Sequence, residues 1–171
     1  VAGLVTINGG LKRGRSVGRV VGLAEACAAQ KVHGHLGIAH TRWATHGAPS
    51  EANAHPHVSG RLAVVHNGII ENHEALRTRL KAEGFVFTSE TDTEVIAHLI
   101  ESYFRQSKDL LASTRAAAAE LHGAYAIGVV SEDAPNRLVC ARKGSPLLIG
   151  LGIEENFIAS DVSVLLPVTQ R

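Results

Sequence analysis

The 171-residue sequence predicts an α+β fold in which β-sheets are covered by helices on their outer faces. Two observations lead to this prediction. Short β-branched and apolar runs recur along the chain, and between them lie segments in which apolar residues repeat at helical spacing. With 45% hydrophobic residues, the chain is long enough for one sizeable core and too short to indicate two domains.

The N-terminal region predicts a hairpin followed by a helix. Residues 2–8 are mostly apolar, and the Asn-Gly-Gly sequence at 8–10 supplies residues that tolerate positive φ. We therefore expect a hairpin into residues 11–17. Residues 20–30 then show the pattern of a short amphipathic helix.

Two buried strands are predicted at residues 35–43 and 61–66, and a long loop separates them. The loop has about seventeen residues, more than most connections in compact domains, so it is a candidate for function. It contains Thr45, His46, His55 and His57.

The next helix is predicted to begin with Asn72 as its cap and to end before Gly84. We expect a short strand over residues 85–88. Thr91 and Glu94 then form a capping box at the start of a second helix. The apolar face of that helix comprises Ile96, Leu99, Ile100 and Tyr103.

A further helix over about residues 109–121 precedes the C-terminal strands. These strands are predicted near 124–130, 138–141, 147–150 and 157–159.

Charge and hydropathy exclude several classes of function. With 17 basic and 16 acidic residues the net charge is +1, so we expect no binding to nucleic acid. No apolar run approaches the roughly 20 residues of a membrane span, and we expect a cytoplasmic protein without membrane contact.

Four blocks of polar and aromatic residues occur where apolar runs end. They read His-Thr-Arg-Trp-Ala-Thr-His-Gly at 40–47, Asn-Ala-His-Pro-His at 53–57, His-Asn-Gly-Ile-Ile-Glu-Asn at 66–72 and Ser-Glu-Thr-Asp-Thr-Glu at 89–94. In this order they closely resemble the glutaminase domains of glucosamine-6-phosphate synthases, which are class II glutamine amidotransferases. The resemblance extends over nearly the whole chain. It implies the fold of the N-terminal-nucleophile (Ntn) hydrolases, a four-layer α/β/β/α sandwich with two mainly antiparallel sheets.

The resemblance implies that Asn67 and Gly68 form an oxyanion hole. The Asn side-chain amide and the Gly backbone N–H would both donate to the tetrahedral oxygen formed during amide hydrolysis. Taken alone, an Asn-Gly pair is also the commonest signal for a tight hairpin turn.

Glutamine is a zwitterion, and the resemblance implies that Arg42 binds its α-carboxylate and Asp92 its α-ammonium group. Each residue has a simpler interpretation. A lone arginine is usually solvated, and an acidic residue in the first turn of a helix is stabilised by the helix dipole.

The resemblance also implies that Trp43, Thr45 and His46 belong to a loop that closes over glutamine, with Trp43 linking occupancy to loop position. A Trp packed against the sheet is the alternative interpretation for position 43.

The main departure from the family concerns the nucleophile. Family members begin with a cysteine, whereas this chain begins with Val1. We expect residues 1–171 to be one glutaminase domain that is incomplete at both ends, and these residues alone to be inactive. Cys27 and Cys140 are expected to be small buried residues and not substitutes for the nucleophile.

Other interpretations remain open at this point. His55 and His57 at i, i+2 could chelate zinc from one strand face, although we expect histidines with structural roles and no metal. A non-catalytic glutamine-binding module and a purine-pathway amidotransferase are further alternatives.

The resemblance also implies the partners of the domain. They are L-glutamine and a sugar-phosphate isomerase domain of the same parent chain, through which the parent would form a homodimer. No cofactor is expected.

Overall fold

A computed structural model of the chain describes residues 1–18, 20–42 and 50–169. The strands in these ranges are β1 (Ala2–Ile7), β2 (Leu11–Ser16), β3 (Leu36–Thr41), β4 (His57–Ser59), β5 (Leu62–Ile70), β6 (Gly123–Ser131), β7 (Val139–Lys143), β8 (Leu148–Leu151) and β9 (Asn156–Ala159). The helices are α1 (Val20–Ala29), α2 (His73–Ala82), α3 (Asp92–Ser107), α4 (Leu110–Glu120) and α5 (Val162–Leu165). None of the helices in these ranges is long and apolar enough to cross a bilayer.

The strands of the described ranges form three sheets. Their strand orders are β2-β1-β3, β4-β5-β6-β7 and β8-β9. Neighbouring strands within each sheet run antiparallel. The first two sheets correspond to the two that were expected, and β8-β9 is a small addition beside them.

Helix α1 packs on the first sheet, the first sheet packs on the second, and α2, α3 and α4 cover the outer face of the second. Three apolar clusters fill the spaces between these four layers. The largest lies between the second sheet and its helices and includes the fully buried Leu62, Leu80 and Leu99. The predicted α+β fold with four layers is therefore confirmed.

The predicted N-terminal hairpin is also confirmed. Gly9 has a φ of +63° in the turn, and β1 and β2 pair from Ala2 with Ser16 to Ile7 with Leu11. On its other side β1 pairs with β3, and Arg42 N donates to Val1 O at 2.8 Å just beyond the last pair. This pairing fixes the backbone of Arg42 at the end of β3.

Helix α2 ends as predicted but begins differently. Gly84 has a φ of +91°, its N–H donates to Lys81 O, and the N–H of Phe85 donates to Leu80 O, as in a Schellman motif. The side chain of Asn72 makes no capping hydrogen bond. Instead it joins Glu120 O and His122 N, which ties the start of α2 to the end of α4.

The predicted strand over residues 85–88 is wrong. This segment pairs with no strand of the described ranges. Phe85 is buried in the main core, and the Phe87 ring lies beneath the Arg77 guanidinium at 4.4 Å. The backbone N–H of Thr88 donates to the Glu94 carboxylate at 2.8 Å, so a side chain satisfies a group that a neighbouring strand would otherwise satisfy.

The hairpin-turn interpretation of Asn67 and Gly68 is wrong as well. Strand β5 continues through both residues, which pair with Ala126 and Tyr125 of β6. Gly68 has a φ of +117°, and a Cβ atom there would lie 2.1 Å from Ala124 O. Only glycine fits this point of the strand, because it tolerates both the backbone conformation and the close approach.

We expect the substitution Gly68→Ala to lower the free energy of unfolding by about 3 to 5 kcal/mol, because it adds both backbone strain and a steric overlap. Gly84→Ala is the matched control, since its φ is also positive but its Cβ would meet open space. The control should lose only about 1 to 2 kcal/mol. Urea unfolding of both variants measures the difference, and equal losses would contradict the steric argument.

Candidate functional site

The structure brings four of the predicted site residues into one pocket. Arg42, Asn67, Gly68 and Asp92 line a cavity of about 230 Å³ at the end of β3, beside β5 and the start of α3. The three elements are separated in the sequence, so the tertiary fold brings these side chains together. The predicted roles of Trp43, Thr45 and His46 concern residues outside the described ranges.

Asp92 lies in the first turn of α3, but its side chain does not cap the helix. The capping hydrogen bond is accepted by Thr91, whose Oγ1 lies 3.3 Å from the N–H of Glu94. The Asp92 carboxylate is directed towards β5, where its Oδ2 accepts from Ile70 N at 2.9 Å. Its side chain remains 22% exposed, so one face can receive a cationic group in the pocket.

Asn67 is held by a residue of the other sheet. Its Oδ1 accepts a hydrogen bond from His40 Nε2 at 2.7 Å. Because the carbonyl end of the amide is occupied, the NH₂ end is the one available to donate. Next to it, the conformation of Gly68 allows the backbone to line the pocket closely.

Four histidines of the described ranges lie around these residues: His40, His55, His57 and His66. The rings of His40 and His55 lie 4.2 Å apart between centroids, and those of His55 and His57 lie 5.2 Å apart. Within the described ranges no group of three or more His, Cys, Asp or Glu side chains is arranged so that it could hold a metal ion. The sequence suggested that His55 and His57 could share one strand face. They do not, because β4 begins at His57 and His55 precedes it.

Threonines of α3 and of its cap are the hydrogen-bond partners of His55, His57 and His66. His57 Nε2 lies 2.9 Å from Thr91 Oγ1, and His55 Nε2 lies 2.9 Å from Thr93 Oγ1. Thr93 Oγ1 also lies 3.0 Å from His66 Nδ1. The histidines thus connect the sheets to the start of the helix that carries the pocket carboxylate.

Burial keeps these imidazoles neutral. Desolvation lowers the pKa of His57 to about 3, although the Glu94 carboxylate opposes the shift. Desolvation also lowers the pKa of His66 to about 4 against the pull of Asp92, and it lowers the pKa values of His40 and His55. A neutral cluster leaves Arg42 and Asp92 as the charged groups among the described residues of the pocket lining.

Glu94 and Arg77 hold the loop that leads into α3. The Glu94 carboxylate accepts from the backbone and hydroxyl groups of both Thr88 and Ser89 at 2.7 to 2.9 Å. Burial opposes the ionisation of Glu94, but hydrogen bonds from Ser89 and Thr88, together with the nearby His98 Nε2 at 3.7 Å, outweigh it and hold its pKa well below the usual range. The Arg77 guanidinium donates to the carbonyl groups of Ser89 and Thr91.

The sequence patterns do not indicate that His40, His66, Thr93 or Arg77 take part in the site. His40 and His66 each stand within two residues of a predicted site residue, Arg42 or Asn67, and this proximity was the available signal. The roles of Thr93 and Arg77 depend on how α3 and α2 dock, which no local pattern reveals. A capping box would have the Glu94 side chain accept from the backbone N–H of the N-cap residue, Thr91. Instead, its carboxylate accepts from the N–H groups of Thr88 and Ser89 in the preceding loop.

The family model of the glutamine amidotransferase domain matches residues 40–167. The chain belongs to this family. The matched region contains Arg42, Asn67, Gly68 and Asp92, so the family assignment and the pocket concern the same part of the chain.

Curated relatives named glutamine–fructose-6-phosphate aminotransferase (isomerizing) match nearly the whole chain. The relative from Acinetobacter baylyi is 57% identical over 99% of this chain, and the one from Haemophilus ducreyi is 60% identical over 92%. The chain spans 28% and 26% of the lengths of these two relatives.

Solved structures agree with the family assignment. The glutamine phosphoribosylpyrophosphate amidotransferase of B. subtilis matches with a TM-score of 0.79 at 29% identity, covering 98% of this chain and 37% of that one. A structure titled as the allosteric regulatory enzyme of purine biosynthesis matches with a TM-score of 0.82, also at 29% identity and with the same coverage of both chains. The Ntn hydrolase fold expected from the sequence is thereby confirmed.

We expect the buried histidines to destabilise the domain in acid. A pKa that is lower in the folded state than in the unfolded one contributes stability that is complete above about pH 6.5 and is lost as the pH falls towards the folded pKa. For His57 and His66 the loss extends down to about pH 3 and 4. Each group adds a slope of up to about 1.4 kcal/mol per pH unit in that window.

Chemical unfolding of wild type and His57→Gln between pH 7 and 4.5 measures this slope. Glutamine offers an amide nitrogen near the position of Nε2 for Thr91 and does not titrate, so its slope should be shallower by up to about 1.4 kcal/mol per pH unit. His35→Gln removes an exposed histidine outside the pocket and serves as the control. Parallel curves for wild type and His57→Gln would contradict the assignment.

Proposed function

We propose that residues 1–171 are the glutaminase domain of a glutamine–fructose-6-phosphate aminotransferase. The domain would hydrolyse the side-chain amide of L-glutamine to glutamate and ammonia. A sugar-phosphate isomerase domain of the same protein would add the ammonia to fructose 6-phosphate and yield glucosamine 6-phosphate. The observation that carries the proposal is the single pocket shared by Arg42, Asn67, Gly68 and Asp92.

The pocket offers complementary groups for each end of glutamine. The Arg42 guanidinium would bind the α-carboxylate through a two-pronged hydrogen bond, and the Asp92 carboxylate would bind the α-ammonium group. Asn67 and Gly68 line the same cavity and would donate to the oxygen of the side-chain amide when it becomes negatively charged. The neutral histidines leave this charge pattern undisturbed.

The two cysteines of the chain are not assigned as the nucleophile. Cys27 is buried against Ala2 and Leu23, and Cys140 lies in β7. Neither lines the pocket, and burial raises the pKa of both thiols, which disfavours the reactive thiolate. The described residues would therefore bind the substrate and stabilise the oxyanion, and the thiolate would come from the N-terminal cysteine that the family resemblance implies.

A purine-type amidotransferase is the second candidate, because the solved structures of that type share the fold with TM-scores near 0.8. Identities of 57% and 60% to the fructose-6-phosphate enzymes, against 29%, favour the first candidate. Supplying the full-length protein with glutamine and either fructose 6-phosphate or phosphoribosylpyrophosphate separates the two. Amination of the second acceptor alone would overturn the assignment.

We expect Asn67→Ala in the full-length protein to lower kcat for glutamine hydrolysis by about 100- to 1000-fold, because the variant lacks one donor to the oxyanion. The KM for glutamine should change little, since this hydrogen bond forms mainly in the transition state. Asn136→Ala, an exposed asparagine far from the pocket in sequence, is the control and should retain wild-type kinetics. A kcat near wild type for Asn67→Ala would refute the oxyanion role.

We expect Arg42→Lys to weaken glutamine binding at least tenfold, because an ammonium group cannot reproduce the forked geometry of a guanidinium on a carboxylate. Isothermal titration calorimetry with L-glutamine measures the change. Arg61→Lys is the control, since the Arg61 side chain is 61% exposed and pairs with Glu132 and Asp133 on the surface. Equal affinities in Arg42→Lys and wild type would exclude Arg42 as the carboxylate ligand.

A further inference from the structure

One hydrogen bond at the pocket crosses from the first sheet to the second. His40 lies in β3 and Asn67 in β5, and His40 Nε2 is 2.7 Å from Asn67 Oδ1. A carbonyl oxygen only accepts, so His40 Nε2 carries the proton and donates it. The bond therefore distinguishes the two ends of the Asn67 amide.

The orientation of this amide matters for the role assigned to Asn67. An asparagine side chain presents either its NH₂ group or its carbonyl oxygen to a given side, and only the NH₂ group can stabilise an oxyanion. If the amide turned over, its NH₂ group would face Nε2 of His40, and the hydrogen bond would then require the proton to lie on Nδ1, a buried atom that has no hydrogen-bond partner among the described residues. Either two donors would then meet at Nε2, or an Nδ1–H would be buried without an acceptor. A buried donor without an acceptor costs roughly 1 to 3 kcal/mol.

The His40 ring is itself held from several sides. The backbone of His40 pairs with Gly3 in β1, and the ring packs on that of His55 with centroids 4.2 Å apart. His55 is buried and bonded through Nε2 to Thr93 Oγ1 of α3. A Cβ on Gly3 would lie 1.9 Å from His55 O, so glycine at that position lets the His55 backbone approach β1.

We propose that His40 is a positioning residue that orients the Asn67 amide, so that its NH₂ group faces the pocket and its oxygen faces away. This inference rests on the proposed function, because it presupposes that Asn67 donates to the oxyanion. His40 acts through Asn67 and does not itself contact the reacting amide. The orienting group belongs to the opposite sheet, so the packing of the two sheets sets the direction of the donor.

Two substitutions of similar size separate orientation from packing. In His40→Gln the Nε2 atom can occupy nearly the position of the imidazole Nε2 and still donate to Asn67, whereas His40→Asn is one carbon too short to reach. In the full-length protein, we expect His40→Asn to lower kcat about 10- to 100-fold with an almost unchanged KM for glutamine. His40→Gln should retain kcat within about threefold.

The double variant identifies the route of the effect. If His40 acts through Asn67, adding His40→Asn to Asn67→Ala should cause no further loss of kcat. An additional tenfold loss in the double variant would overturn the inference. So would equal kcat values for His40→Gln and His40→Asn.

The same set of variants distinguishes failure of this inference from failure of the proposed function. A normal kcat in Asn67→Ala would overturn both, whereas a large loss in Asn67→Ala combined with a normal kcat in His40→Asn would overturn the positioning role alone. A wild-type measurement avoids any dependence on variant folding. Long-range ¹H–¹⁵N NMR should show His40 protonated at Nε2, and a proton on Nδ1 alone would overturn the inference.

Discussion

The contact between the two larger sheets determines the geometry of everything around the pocket. Val5 and Ile38 of the first sheet pack with Ala63 and Val130 of the second in one buried cluster. This apolar contact brings the end of β3 over β5, so that side chains distant in sequence lie within hydrogen-bond distance. The packing of alternate side chains also fixes strand register. A shift of β5 by one residue would turn Asn67 away from His40.

Hydrogen bonds between polar groups fix the start of α3 against the sheets that the apolar contact holds together. The start of α3 is held by threonine–histidine hydrogen bonds from one side and by Glu94 and Arg77 from the other. Buried polar groups of this kind are costly unless each finds a partner, and a network with its partners in place specifies one arrangement. The two charged ligands proposed for glutamine therefore stand on elements whose relative positions are determined before the substrate arrives, which lowers the entropic cost of binding.

Much of this architecture could be predicted from the sequence. The hairpin at Gly9, the glycine after α2 and the N-cap threonine of α3 follow local rules. Arg42, Asn67, Gly68 and Asp92 follow only from the family resemblance that the polar blocks carry, because each residue taken alone has a simpler interpretation. The errors arose where tertiary contacts override local signals. Residues 85–88 look like a strand because two phenylalanines alternate there, but the Glu94 side chain takes the backbone hydrogen bond that a strand neighbour would need. The alternative interpretation of Asn67-Gly68 as a turn fails for a similar reason, because the neighbouring strand β6 continues alongside it.

The distribution of the pocket over the chain has a thermodynamic consequence. Arg42, Asn67 and Asp92 come from two sheets and a helix, so an unfolded chain or an isolated segment does not present them together. A molecule that binds all of them binds only the folded domain, and by mass action it adds RT ln(1 + [L]/Kd) to the free energy of unfolding. At a hundredfold excess over Kd this is about 2.7 kcal/mol, a considerable fraction of the stability of a domain of this size. Substrate supply would then influence how long the folded protein survives, as well as how fast it works.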